Sequence, residues 1–135
     1  MRSTKPLGRA WLTLTLALAA HVADEALTGF LDVYNPIVRT LRARFGWAPF
    51  PVFEFGTWLT GLCVAVAALL LMTPLAYRGA RVVRIAALPF SVLMLLNGAG
   101  HLAGSIYTRS WAPGATTAPL LIAASIWLLK RAYWA

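Results

Sequence analysis

Four stretches of this chain are apolar over the length a helix needs to cross a bilayer, about 20 residues. They run Ala10–Phe30, Val52–Met72, Val83–Tyr107 and Thr116–Trp134. Only 12% of the residues are charged and 60% are hydrophobic. A soluble domain carries about 25% charged residues, so the solvent around much of this chain is expected to be lipid. Short connections favour antiparallel neighbours. The expected fold class is therefore all-α, an integral membrane four-helix bundle with up-down topology, forming a single transmembrane domain over residues 1–135.

The net charge is +8, from twelve Lys and Arg against four acids. In a soluble protein that balance suggests nucleic acid. Here no nucleic-acid motif occurs, and the basic residues stand at the ends of the apolar runs, where they face headgroups and set topology. Arg2, Lys5, Arg9, Arg78, Arg81, Arg84, Lys130 and Arg131 fall on one side; Arg39, Arg42, Arg44 and Arg109 fall on the other. The excess on the first side predicts that both termini are cytoplasmic. A rival reading makes the basic N-terminus and Ala10–Leu18 a signal peptide ending at Ala17-Leu18-Ala19, but the apolar stretch resumes after Glu25. Cys63, the single cysteine, lies in an apolar run and reads as packing.

Between the first two runs, Pro36–Phe45 places Ile37, Val38, Leu41 and Phe45 at helical spacing, with Arg39, Arg42 and Arg44 mostly elsewhere on the wheel. That pattern predicts a short amphipathic helix on the outer interface.

The polar residues carry the functional information. The acids are Asp24, Glu25, Asp32 and Glu54, and the histidines are His21 and His101. All but Asp32 fall inside the predicted spans. His21, Asp24 and Glu25 are spaced i, i+3, i+4 and so share a helix face. Asn97 and His101 are spaced i, i+4, as are Glu54 and Trp58. At about 1.5 Å of rise per residue, the first three spans all place these groups in the same outer half of the membrane. Gly56, Gly61, Gly98, Gly100 and Gly104 lie at similar levels, and small residues let membrane helices approach closely.

Carboxylates in low dielectric need compensation, and no Lys or Arg lies near the middle of a span. Either protons are shared with the histidines, or a cation is bound. Two histidines and three carboxylates suit a divalent metal, Zn, Fe or Mn, better than Cu(I). The expected ligands are His21, Asp24, Glu25, Glu54 and His101, with Glu25, Glu54 and Asn97 as catalytic residues. The leading expectation is a metal-dependent membrane enzyme acting on a lipid-like or apolar small molecule. One alternative is a metal-free isomerase or cyclase, with Glu25 or Glu54 as proton donor and Trp58 stabilising a cation. Another is a proton- or metal-linked carrier or accessory subunit.

His21-Val22-Ala23-Asp24-Glu25 resembles the signature of the HXXEE-domain membrane proteins, small bacterial proteins. The resemblance extends to Asn97-Gly98-Ala99-Gly100-His101 and to Trp111-Ala112-Pro113-Gly114-Ala115-Thr116-Thr117, and departs at Asp24, where the signature has Glu. It implies a bacterial inner-membrane location. A more distant likeness, in architecture and residue types alone, is to the sterol-isomerase group with the EXPERA domain.

Overall fold

A computed structural model of the protein describes residues 5–134; Arg2, in the basic N-terminal flank, lies outside them. The described residues fold as an all-α chain, with no strand among them. Its segments are α1 (Lys5–Thr28), α2 (Phe30–Phe45), α3 (Phe55–Leu71), α4 (Thr73–Tyr77), α5 (Arg81–Thr108) and α6 (Ala118–Tyr133). Two stretches are long and apolar enough to cross a membrane: α3 continuing into α4, Phe55–Tyr77, and α5. Helices α1 and α2 pass the same test only as a pair, and they are bent by 80° at their junction. The fourth expected span, Thr116–Trp134, folds as α6, which at 16 residues is not among the helices long and apolar enough to cross.

The bend has a local cause. Gly29 takes a left-handed conformation, φ 78°, which a side chain disfavours and glycine tolerates. The helix therefore stops at Thr28 and restarts at Phe30. The amphipathic helix expected at Pro36–Phe45 is thus longer than its apolar pattern suggested. It runs through Pro36, whose missing N–H forfeits one internal hydrogen bond. Beyond it, the segment before α3 is pinned to α2. Asn35 donates to the Phe53 carbonyl at 2.9 Å and accepts from the Phe53 N–H at 3.0 Å. Tyr34 donates to the Pro51 carbonyl at 3.0 Å.

Helix α1 is the hub, packed against α6, α4 and α3 and more lightly against α2 and α5. One end of the molecule is a dry core of Trp11, Leu14, Val83, Leu121 and Leu128, all fully buried. Trp11 meets Phe90 edge-on and donates its indole N–H to the Leu69 carbonyl at 2.9 Å, which satisfies the one polar atom of that side chain. Gly98 permits a close approach of α5 and α6: a Cβ there would meet Ile122 and the Ala118 carbonyl oxygen. Gly61, Gly100 and Gly104 play no such part, since each faces open space. By contrast, α3 buries only Trp58 within the chain. Val64 and Leu71 are 64% and 81% exposed, an apolar surface that water would not favour.

Candidate functional site

At the opposite end of α1 from the dry core, three side chains converge. His21 and Glu25 stand one turn apart on α1, and His101 reaches them from α5. The Glu25 carboxylate oxygen Oε1 lies 2.9 Å from His101 Nε2 and 3.5 Å from His21 Nε2. The side chains are 1% (His21), 5% (Glu25) and 9% (His101) exposed. The imidazoles meet edge to face, with centroids 4.7 Å apart. Among the described residues these three form a group whose ligand atoms all lie within 4.8 Å of one another.

The loop between α5 and α6 fixes both rings. It begins at Arg109, whose left-handed φ of 52° ends α5. Its shape is held by Ser105 Oγ accepting from the Ala112 N–H at 3.0 Å and by Trp111 donating to Thr116 Oγ1 at 2.9 Å. From this loop the Pro113 carbonyl faces His101 Nδ1 at 2.6 Å. A carbonyl only accepts, so Nδ1 carries the proton and the neutral ring has its lone pair on Nε2. Thr117 Oγ1 lies 2.8 Å from His21 Nδ1 and 2.9 Å from Asp24 Oδ2. An ionised Asp24 takes the single hydroxyl proton, as it takes the Thr117 backbone N–H at 3.1 Å. Thr117 Oγ1 then accepts from His21 Nδ1–H, and His21 too has its lone pair on Nε2. The Nε2 of His21 is buried with no hydrogen-bond partner among the described residues.

Two nitrogen lone pairs and a carboxylate oxygen therefore face one another in a buried space. That arrangement is repulsive unless a positive charge, a proton or a metal cation, sits among them. Donors about 2.1 Å from a tetrahedral zinc lie roughly 3.4 Å apart. The separations of 2.9 and 3.5 Å bracket that value. Metal-ligating histidines also characteristically donate the other ring N–H to an oxygen, as both do here. The donor set thus fits a divalent metal.

Gly114 completes the cradle. Its φ is 80°, and a Cβ there would lie 2.8 Å from the His101 ring and 3.0 Å from His21 Cε1. No residue with a side chain fits without moving both imidazoles. Thr117, Pro113 and Gly114 are the site residues that reasoning from charge and ligand type missed. The Pro-Gly pair was their signal, since it marks a turn with a left-handed residue.

The other expected ligands stand elsewhere. Asp24 is turned to Thr117 and orients a ring instead of joining the cluster. Glu54 precedes its helix instead of lying inside a span. It is the N-cap of α3, accepting from the backbone N–H groups of Gly56 and Thr57, each at 2.8 Å, and from the Thr57 hydroxyl at 3.0 Å. These bonds, that from Gly56 first, hold its carboxyl below the usual carboxylate range. Asn97 lies one turn from His101, half-buried, with its amide oxygen buried and without a partner among the described residues.

Two cavities flank the cluster and share Phe30 as a wall. Glu25 opens on one of about 330 Å³, with Phe55, Trp58, Asp32 and Asn35. His101 opens on another of about 500 Å³, between α2 and α5.

No curated protein and no solved structure matches the chain. A family model described as a protein of unknown function with HXXEE motif matches residues 11–128, a span holding the α1 cluster, the α5 histidine and the loop that orients them. The chain belongs to the HXXEE family.

Proposed function

We propose that this chain is a small integral membrane enzyme that holds a divalent metal on His21 Nε2, His101 Nε2 and Glu25, and acts on a lipid-like or other apolar molecule. The observation that carries the reading is the orientation of the two rings. Asp24 through Thr117, and the Pro113 carbonyl, direct both Nε2 lone pairs at one carboxylate oxygen. Imidazole with carboxylate suits zinc, iron or manganese. When bound, such a metal supplies Lewis acidity and activates water or oxygen. The chain's own residues hold the rings, exclude water from one side through Gly114 and the loop, and present Asn97 to whatever enters from α5.

In the membrane, α1, α3–α4, α5 and α6 form an up-down bundle with both termini on the cytoplasmic side of a bacterial inner membrane. With α1 crossing, the 80° bend lays α2 near the outer interface. The apolar, uncovered surface of α3 supports this arrangement.

Elemental analysis of protein purified without chelator tests the proposal. One zinc, iron or manganese per chain is expected, with lower thermal stability once a chelator removes it. No bound metal, and stability indifferent to chelator, overturns it.

A second reading has its own support. Glu25 opens on a cavity lined by Phe30, Phe55 and Trp58. Aromatic faces stabilise carbocations, so a proton held between Glu25 and His101 serves a metal-free isomerase or cyclase. Metal-free protein that protonates an alkene substrate would favour this reading over the first.

A further inference from the structure

The cavity of about 500 Å³ beside His101 differs in chemistry from its neighbour. Its walls are the apolar side chains of α2, among them Val33 and Ile37, and the Leu96, Gly100 and Gly104 stripe of α5. Ligand pockets for small molecules span about 300–1,000 Å³ and are mostly apolar with a few placed polar groups. Here the polar groups of α5 are His101, which belongs to the cluster, and Asn97 one turn away. The Asn97 amide oxygen is buried without a partner among the described residues, although buried acceptors are normally paired. Nothing stands within 4 Å of where a Cβ would project from Gly100 or Gly104. Those glycines therefore keep the floor of the cavity open instead of packing a helix.

We propose that this cleft takes the apolar chain of an amphiphile whose hydroxyl head donates to Asn97 Oδ1, placing the adjoining carbon beside His101. The assignment of that carbon as the reacting end rests on the reading of the His21–Glu25–His101 cluster as a metal centre. Gly100 and Gly104 set the room for the chain, Asn97 selects the head, and α2, pinned through Asn35, forms the roof.

The test uses the full-length protein in phosphatidylcholine vesicles, with two photoreactive probes: a long-chain alcohol carrying a diazirine, and the matched hydrocarbon without the hydroxyl. Zinc content is measured on the same samples. The alcohol is expected to label the α2 and α5 walls in preference to the hydrocarbon. Gly104→Leu fills the cleft while favouring the helix, and is expected to cut labelling about tenfold, the effect of roughly 1.4 kcal/mol, with zinc content unchanged. Asn97→Leu is expected to erase most of the five- to tenfold preference for the alcohol that one hydrogen bond supplies, about 1–1.5 kcal/mol. Equal labelling by both probes, undiminished in Gly104→Leu, overturns the proposal. If wild-type protein binds no zinc while both variants behave as expected, the cleft stands and the metal reading falls.

Discussion

Glu25 and Glu54 are both acids set in apolar sequence, and the fold treats them oppositely. Glu25 lies in the last turns of α1 with its carboxylate between two imidazoles, 4% exposed. Glu54 lies one residue ahead of α3, where backbone N–H groups that the helix leaves unpaired take its charge. An acid at a helix mouth is satisfied by the helix itself. An acid inside a helix depends on other elements, and this one collects them from α5 and, through His21 and His101, from the α5–α6 loop. The difference separates a carboxylate that terminates local structure from one that recruits a site.

Replacing Glu25 breaks the comparison most strongly. Glu25→Gln removes the charge and one ligand atom. We expect zinc affinity to fall more than the 10–100-fold typical of an outer-shell change, read by competition with a chelating dye. Gly114→Ala comes next. It places a side chain at a left-handed φ, costing about 1–2 kcal/mol, and drives a methyl into both rings. Thermal unfolding in detergent and zinc affinity should fall together. Thr117→Val leaves the ring space filled but removes the link from Asp24 to His21. A 10–100-fold loss of zinc affinity is expected, with thermal stability of the metal-free protein changed far less than in Gly114→Ala.

Glu54→Gln should have the smallest effect, with zinc binding unchanged. Its folded carboxyl titrates below its ordinary value. The stabilisation it gives is therefore complete above that ordinary value. It is lost as pH falls through the lower folded value. The gap in melting temperature between wild type and Glu54→Gln should accordingly close in acid. A gap that widens there, or zinc lost from Glu54→Gln, would erase the distinction between the two acids.

These two residues also show how far the sequence can be read. The i, i+4 pair His21 and Glu25, and His101 at a matching level on another apolar run, were legible because buried titratable groups in a membrane segment are costly. The end of the first helix is legible to within two residues, since the expected span stops at Phe30; the immediate restart of α2 at Phe30 is not, since no polar break precedes it. Hydropathy puts Glu54 within a span because it does not see helix ends. The α3 cap carries none of the usual start marks, since Glu stands where Ser, Thr, Asp or Asn is preferred and Phe55, not Pro, opens the helix. Asp24 and Thr117 are 93 positions apart, and only the packing of α6 on α1 brings them together. No local pattern distinguishes the carboxylate that joins the cluster from the one that aims a ring.

The account turns on both imidazoles presenting Nε2 to a cation beside Glu25. Nitrogen-15 NMR of histidine-labelled protein, with one equivalent of zinc and after its removal, reads this directly. The prediction is Nδ1–H on His21 and His101, with both Nε2 resonances shifted to metal-bound values by zinc and restored by chelator. An imidazolium on either ring that zinc leaves unchanged, or a ring protonated at Nε2, would contradict it.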